Sequence, residues 1–304
     1  MDDEGGECLS PEAAFALLGD ELRLDILFAL YESTEREDCQ GDSVTYSTLR
    51  EAVGEPDSGK FNYHLSRLQG QFVEKLDHGY AMRHAGSTVV RAVLSGTFTD
   101  DPRFGPAPTG KPCFRCDGDV SVSYRNEHVF TQCDTCEGSL TLRFTPPGTL
   151  SALPYPPAGL DARTAGETVE LAHARFEHEV GMLAADSCPD CGGPTGRELV
   201  VCSDHDAGDR TRCGECDLSI GAVARLECTT CGCGRVTPPL LAHLGRPAVL
   251  ELLDADGSSP SAWTRFTRAM TRPYEVGDPD EPAVTYAMGD DLVRVGGDLT
   301  LTLE

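Results

Sequence analysis

The chain has 304 residues, enough for about two domains, and sets 50 Asp and Glu against 25 Lys and Arg for a formal charge of −25. Its 39% of apolar residues suits an ordinary core, and no apolar run approaches the roughly 18 residues of a membrane helix. The acidic start MDDEGGECLS lacks the basic-then-apolar order of a signal peptide, so the expected location is cytoplasmic.

Lysine occurs only at Lys60, Lys75 and Lys111. This Asp-rich, Lys-poor surface resembles proteins of salt-accumulating halophiles, where molar salt screens self-repulsion. Fourteen cysteines without a leader are read as reduced thiols. Twelve lie between Cys113 and Cys233, mostly as Cys-x-x-Cys pairs, a spacing that suits metal ligands.

In chain order, Ser10-Pro11-Glu12 is a helix start. Phe15, Leu18, Leu22, Ile26 and Ala29 recur near the helical period, interrupted at Gly19-Asp20, so two helices are predicted. An acidic loop over 33–43 contains the isolated Cys39. VTYSTLREAVG then predicts a short strand and a third helix from Ser47, stopped at Gly54. The stretch SGKFNYHLSRLQGQFV, residues 58–73, is free of acids and predicts a fourth helix. Phe61, Leu65 and Leu68 form its buried stripe, with His64 packed at the edge. Its other face offers Asn62, Tyr63, Ser66 and Arg67, side chains able to bond bases and phosphates. FVEKLDHGYAMRH reads as two strands about His78-Gly79, followed by a helix from Ser87 to Leu94. Between Ser58 and Thr99, Lys60, Arg67, Lys75, Arg83 and Arg91 face only Glu74 and Asp77, a local balance of +3.

LGDELRLDILFAL and SGKFNYHLSRLQGQFVEKLDHGYAMRHAG closely resemble the winged helix-turn-helix of ArsR-type transcriptional regulators, above all those of halophilic archaea. The resemblance spans about residues 9–98. It implies DNA-facing roles for Lys60, Asn62, Tyr63, Ser66 and Arg67, a phosphate role for Arg83, and a homodimer on two half-sites. The third helix lacks the paired cysteines of the metal-sensing members, and Cys8 is isolated, so arsenic-type sensing is not expected here.

Cys113/Cys116 and Cys133/Cys136 flank SVSYRNEHVF, which can fold as a hairpin and bring four thiolates around one Zn²⁺. His128 falls on that hairpin, away from the metal. GTLSALPYPPAGLDART reads as a linker, and AGETVELAHARFEHEVGML as a helix with His173, Glu177 and His178 on a solvated face. Four further pairs follow: Cys188/Cys191, Cys202/His205, Cys213/Cys216 and Cys228/Cys231. The hairpin-sized first and last gaps make two tandem ribbons the simplest partition, with nested or crossed pairing open. Cys233 is left over. Full quartets suit closed structural zinc, three ions per chain, and such sites contribute an apparent ~10–16 kcal/mol to folding. TPPLLAHLGRPAVLELLDADG reads as a helix from near Pro239, and AVTYAMGDDLVRVGGDLTLTLE as a strand hairpin.

The predicted fold is α+β: winged helix-turn-helix at 9–98, zinc ribbon at 108–146, linker and helix at 147–185, second zinc cluster at 186–236, and a small α/β segment at 237–304. The function it points to is transcriptional regulation on double-stranded DNA, with the zinc region for regulation or a protein partner, and no membrane. A zinc-ribbon module whose winged helix docks protein is the second reading, and a zinc enzyme acting on nucleic acid the third. No nucleophile with a base, phosphate loop or cofactor motif is visible, so no enzymatic activity is expected.

Overall fold

The computed structural model describes residues 9–34, 43–205, 212–254, 260–277 and 281–304. Cys8, Cys39 and most of the acidic loop lie outside them. The chain divides into two compact units, Met1–Asp100 and Asp101–Glu304, both mixing helices with antiparallel sheet. Among the described residues no helix is long and apolar enough to cross a membrane.

In the first unit, α1 (Pro11–Leu18) starts where the Ser10 hydroxyl accepts the Ala13 N–H, and Gly19 ends it. Then come α2 (Glu21–Thr34), α3 (Tyr46–Val53) and α4 (Ser58–Leu68). Thr45 caps α3, and Gly54 leaves it at φ 76°, a conformation that favours glycine. Asp57 caps α4 by accepting the Gly59 and Lys60 N–H groups. A hairpin of β1 (Val73–Leu76) and β2 (Gly79–Met82) precedes α5 (His84–Leu94). The strand expected before α3 shrinks to one bridge, Val44 to Tyr80.

Phe61, Leu65 and Leu68 are fully buried with Ile26, Leu27, Leu30 and Leu49, so the core face of α4 is the one its spacing predicts. Phe15 is not part of it: its side chain is 75% exposed, and Leu17 is the buried residue of this eight-residue helix. His64 sits at the core edge, its Nδ1 3.1 Å from Asp20 Oδ1.

The second unit is one continuous core rather than a string of separate ribbons. Strands β3 (Phe104–Pro112), β4 (Asp119–Arg125), β5 (His128–Cys133) and β6 (Thr149–Pro154) form an antiparallel sheet in that order. Asn126 and Glu127, with φ of 48° and 57°, make the tight turn between β4 and β5. Residues 149–154, expected as linker, are instead the edge strand β6. Their apolar residues Leu150 and Leu153 are buried, and a strand on β5 satisfies the backbone there.

Helix α6 (Ala165–Ala184) opens with a capping box of Thr164 and Glu167. After it come the sheet β7 (Thr195–Val201), β8 (Ala222–Cys228) and β9 (Gly234–Thr237), and a 3-10 turn at Pro239–His243. Gly245 and Pro247 divide the expected helix, so that only α7 (Pro247–Leu253) is α-helical. Helix α8 (Ala262–Thr271) was not expected. The C-terminus is a four-stranded sheet rather than a lone hairpin: β10 (Glu275–Val276), β11 (Ala283–Met288), β12 (Asp291–Gly296) and β13 (Leu301–Leu303).

The solvated face expected on α6 is a correction. Only His178 is exposed; His173 and Glu177 are buried because α6 packs on β-strands and on α8. Glu177 accepts from Arg265 of α8 through Nε at 2.9 Å and through Nη2. Glu179 accepts from Arg235 of β9 at 2.7 Å, and Glu170 from Lys111 of β3. Three carboxylates thus tie α6 to three other elements. The Glu177 and Glu179 carboxylates are buried, so losing either arginine partner would strand a charge.

His173 donates Nδ1–H to the Val169 carbonyl at 2.8 Å, and its ring packs edge-on against Trp263. Burial lowers its pKa from 6.5 to about 4. The native state therefore excludes a proton that the unfolded chain binds between those values. Stability is full above about pH 6.5 and falls as pH drops toward 4. His173→Phe should lose about 2 kcal/mol less than the parent between pH 7 and pH 5, because metal ligands titrate alike in both. Urea unfolding at the two pH values checks this; equal losses would show that His173 is not held neutral.

Candidate metal centres

Ligand-type side chains converge at three places among the described residues: Cys113/Cys116/Cys133/Cys136, Cys188/Cys191/Cys228/Cys231 and Cys202/His205/Cys213/Cys216. Within each set the ligand atoms all lie within 4.8 Å of one another. All twelve ligand residues expected from the spacing are in these groups, and Cys233 is in none.

Strand register explains the grouping. Cys113 follows β3 and Cys133 ends β5, so both pairs fall at one end of the first sheet. In the second sheet, Thr195 pairs with Cys228 and Val201 with Ala222. Residues before β7 therefore meet residues after β8, and the two segments inside the hairpin meet each other. The pairing is nested, not tandem. The ten-residue gap between Cys191 and Cys202 is a single strand crossing the sheet, not a hairpin folding back on itself. One quartet closes each end of the β7–β8 ladder.

The distances test the fit. Sulfurs at about 2.3 Å from one Zn²⁺ in a tetrahedron stand about 3.8 Å apart. Cys113–Cys136 and Cys116–Cys133 are 3.9 and 3.5 Å apart. Cys188–Cys231, Cys191–Cys228 and Cys202–Cys213 are 3.6, 3.5 and 4.0 Å apart. A disulfide needs about 2.05 Å, so none of these is one. For an imidazole nitrogen and a thiolate on the same ion the separation is about 3.5 Å. His205 Nδ1 lies 3.5 Å from Cys216 Sγ. A Cβ at Gly221 would come within 2.8 Å of the His205 ring, so glycine there leaves room for the imidazole.

Knuckle backbone supplies the electrostatics. The Cys133 sulfur accepts N–H groups from Thr135 and Cys136 at 3.3 Å, and Cys228 accepts from Thr230 at 3.4 Å and Cys231 at 3.5 Å. Burial pushes the Cys133 thiol up, but these N–H donors and the neighbouring thiols bring it down to about 7. At Cys228 the Cys231 N–H outweighs burial, and the thiol falls to about 6. Each of these quartets thus contains a thiol that ionises near neutrality, the form a metal binds. Burial instead raises Cys233 to about 12, next to Asp190, which keeps it a neutral thiol.

The residues expected to face DNA lie elsewhere, in the first unit. Asn62, Tyr63, Ser66 and Arg67 are exposed on α4, and Arg83 is exposed after β2. Ser66, Arg67 and Arg83 line one open cleft of about 630 Å³ with Gln69 and Gln71. Lys60 stands apart, bonded to Glu55 at 2.8 Å. That carboxylate lies just upstream of the acid-free stretch, where a reading confined to residues 58–73 misses it.

The chain belongs to the family described as "Domain of unknown function (DUF7351)", whose profile matches residues 110–303. Residues 11–93 match a second family, "Domain of unknown function (DUF7347)". No curated protein matches the chain. A solved structure with similarity is the Rio2 kinase of Chaetomium thermophilum in its ADP/Mg²⁺-phosphoaspartate complex, at 13% identity and a TM-score of 0.26. The match covers 58% of this chain and 48% of the kinase, so this chain spans about half of that protein. At that score the likeness carries no argument about fold or activity.

Native mass spectrometry of the zinc-reconstituted chain should find three ions. Cys202→Ala should hold two and melt earlier, whereas Cys233→Ala should hold three. Equal metal loss in both variants would contradict the assignment of Cys202 as a ligand and Cys233 as none.

Proposed function

We propose that this protein is a cytoplasmic DNA-binding transcriptional regulator whose first unit is a winged helix-turn-helix of ArsR type. In this reading α4 enters the major groove, Asn62 and Tyr63 touch base edges, and the β1–β2 hairpin lies along the backbone. The observation that carries it is the shared cleft. Arg67 and Ser66 from α4 and Arg83 from the hairpin's exit open onto one surface, and neither arginine has a carboxylate partner among the described residues. Unpaired cations beside the exposed face of a helix suit a phosphate backbone, in a chain that otherwise repels one.

Three Zn²⁺ ions close the quartets of the second unit as structural centres. The support is that each set already offers four ligands, whereas a catalytic zinc keeps one position for water. The proposed state is a homodimer, and the 75% and 72% exposed rings of Phe15 and Phe98 offer apolar surface for a second copy.

Titrating the zinc-loaded chain onto duplex DNA at several salt concentrations tests the reading. Arg67→Ala and Arg83→Ala should each weaken binding and reduce the salt slope by about 0.9 per protomer, roughly 1.8 for the bound dimer. Lys60→Ala should do less, because its ammonium is already paired with Glu55. Slopes identical to the parent in both arginine variants would remove this face from DNA binding.

A further inference from the structure

Beneath the metal knuckles, the second unit holds a cavity of about 340 Å³ that no part of the proposed DNA or zinc chemistry uses. Phe176 of α6, Phe266 and Met270 of α8, Leu153 of β6, and Ile220 and Val236 are among the residues that line it. We propose that it is a binding site for a neutral, mainly apolar small molecule of about two fused rings that carries one hydrogen-bonding group.

Size is the first argument. Ligand pockets run from about 300 to 1,000 Å³, and an apolar cavity of about 150 Å³ takes up one benzene. A space of about 340 Å³ suits roughly two such rings. Charge is the second. No Asp or Glu lines the cavity, although the chain has 50 of them. The lining guanidinium, Arg235, is already held by Glu179 at 2.7 Å, so neither a carboxylate nor an unpaired guanidinium faces the cavity.

Polarity is the third argument. Ser139 and Thr237 line the cavity, are 1% and 2% exposed, and have hydroxyl oxygens with no hydrogen-bond partner. Buried hydroxyls are normally satisfied, and leaving one unpaired costs about 1–3 kcal/mol. The neighbouring Ser151, by contrast, is paired with Thr131 at 2.6 Å. A ligand with one polar group would give the unpaired hydroxyls a partner.

The entrance also carries apolar surface that water does not favour: Leu142 is 48% exposed and Val236 54%. One wall is tied to the metal knuckles. Ser139 follows Cys136 by three residues, Leu218 follows Cys216 by two, and Leu140 bridges to Leu218. Two quartets therefore define the position of one wall, which leaves a cavity with a set shape.

The test uses 2-naphthol as probe on the full zinc-loaded chain, with methionine methyls labelled with carbon-13. Of Met1, Met82, Met182, Met270 and Met288, only Met270 should shift, saturably and at one probe per chain. Ala152→Trp, which fills the cavity, should abolish that shift. Ser139→Ala with Thr237→Val leaves the packing nearly unchanged; it should weaken 2-naphthol about fivefold, the value of one net hydrogen bond, and leave naphthalene unaffected. Absence of a saturable Met270 shift, or equal shifts at other methionines, would overturn the site. So would a Met270 shift that follows protein concentration without probe, since a second copy would then be covering the cavity.

Discussion

Thiols gathered within 4.8 Å of one another, with pairs as close as 3.5 Å, repel one another once ionised, and a shared cation would turn that repulsion into cohesion. The second unit is arranged around three such clusters. Each sits where strands end, so the same register that pairs Thr195 with Cys228 also delivers Cys188 and Cys191 to Cys228 and Cys231. The ladder and the clusters are mutually dependent: a register slip by one residue would turn the buried Leu199, Ala222 and Ala224 outward and separate the thiols. In the proposed zinc-bound state this economy would suit a chain with only 7% aromatic residues, because metal bonds would replace part of the stabilisation a larger apolar core supplies.

Helix α6 does the complementary work from inside. Val169, Ala172, Phe176 and Val180 supply the apolar contacts, while Glu170, Glu177 and Glu179 reach β3, α8 and β9. Glu177 and Glu179 are buried, and such pairs give less net stability than apolar residues of the same size. The half-buried Glu170 also accepts the Ser261 hydroxyl and the Trp263 N–H. The first unit uses neither device. Its core of Ile26, Leu49, Phe61, Leu65 and Val73 contains no cysteine, and α1, α3 and α4 begin at side-chain caps.

Local chemistry was legible in the sequence, and tertiary placement was not. Ser10, Gly19, Gly54 and the His78-Gly79 turn mark ends that depend on neighbouring residues, and each marks an end in the structure. The buried stripe of α4 follows from spacing alone. The side chains that converge into quartets were equally legible, because Cys-x-x-Cys geometry is local. Which pairs share an ion is a question of register, and the gap lengths pointed the wrong way. The better signal was TGRELVV, which has no turn residue after its glycine and so runs on as one strand. Thr149–Pro154 was hidden by the prolines that follow it. The odd spacing of Leu150 and Leu153 also breaks the strand alternation, because a bulge in the β5–β6 pairing lies beside Leu150. His173 and Glu177 look solvated on a helix taken alone; Trp263, Phe266 and Arg265, almost 90 residues on, bury them.

The most direct test of this account is X-ray absorption at the zinc edge of the purified chain. The three quartets contain eleven sulfurs and one imidazole nitrogen. The account predicts a first shell dominated by sulfur at about 2.3 Å, nearly four per zinc, with a minor nitrogen contribution near 2.0–2.1 Å. A shell in which oxygen or nitrogen makes up half of the scatterers would contradict it, because the thiols would then not be closing the sites.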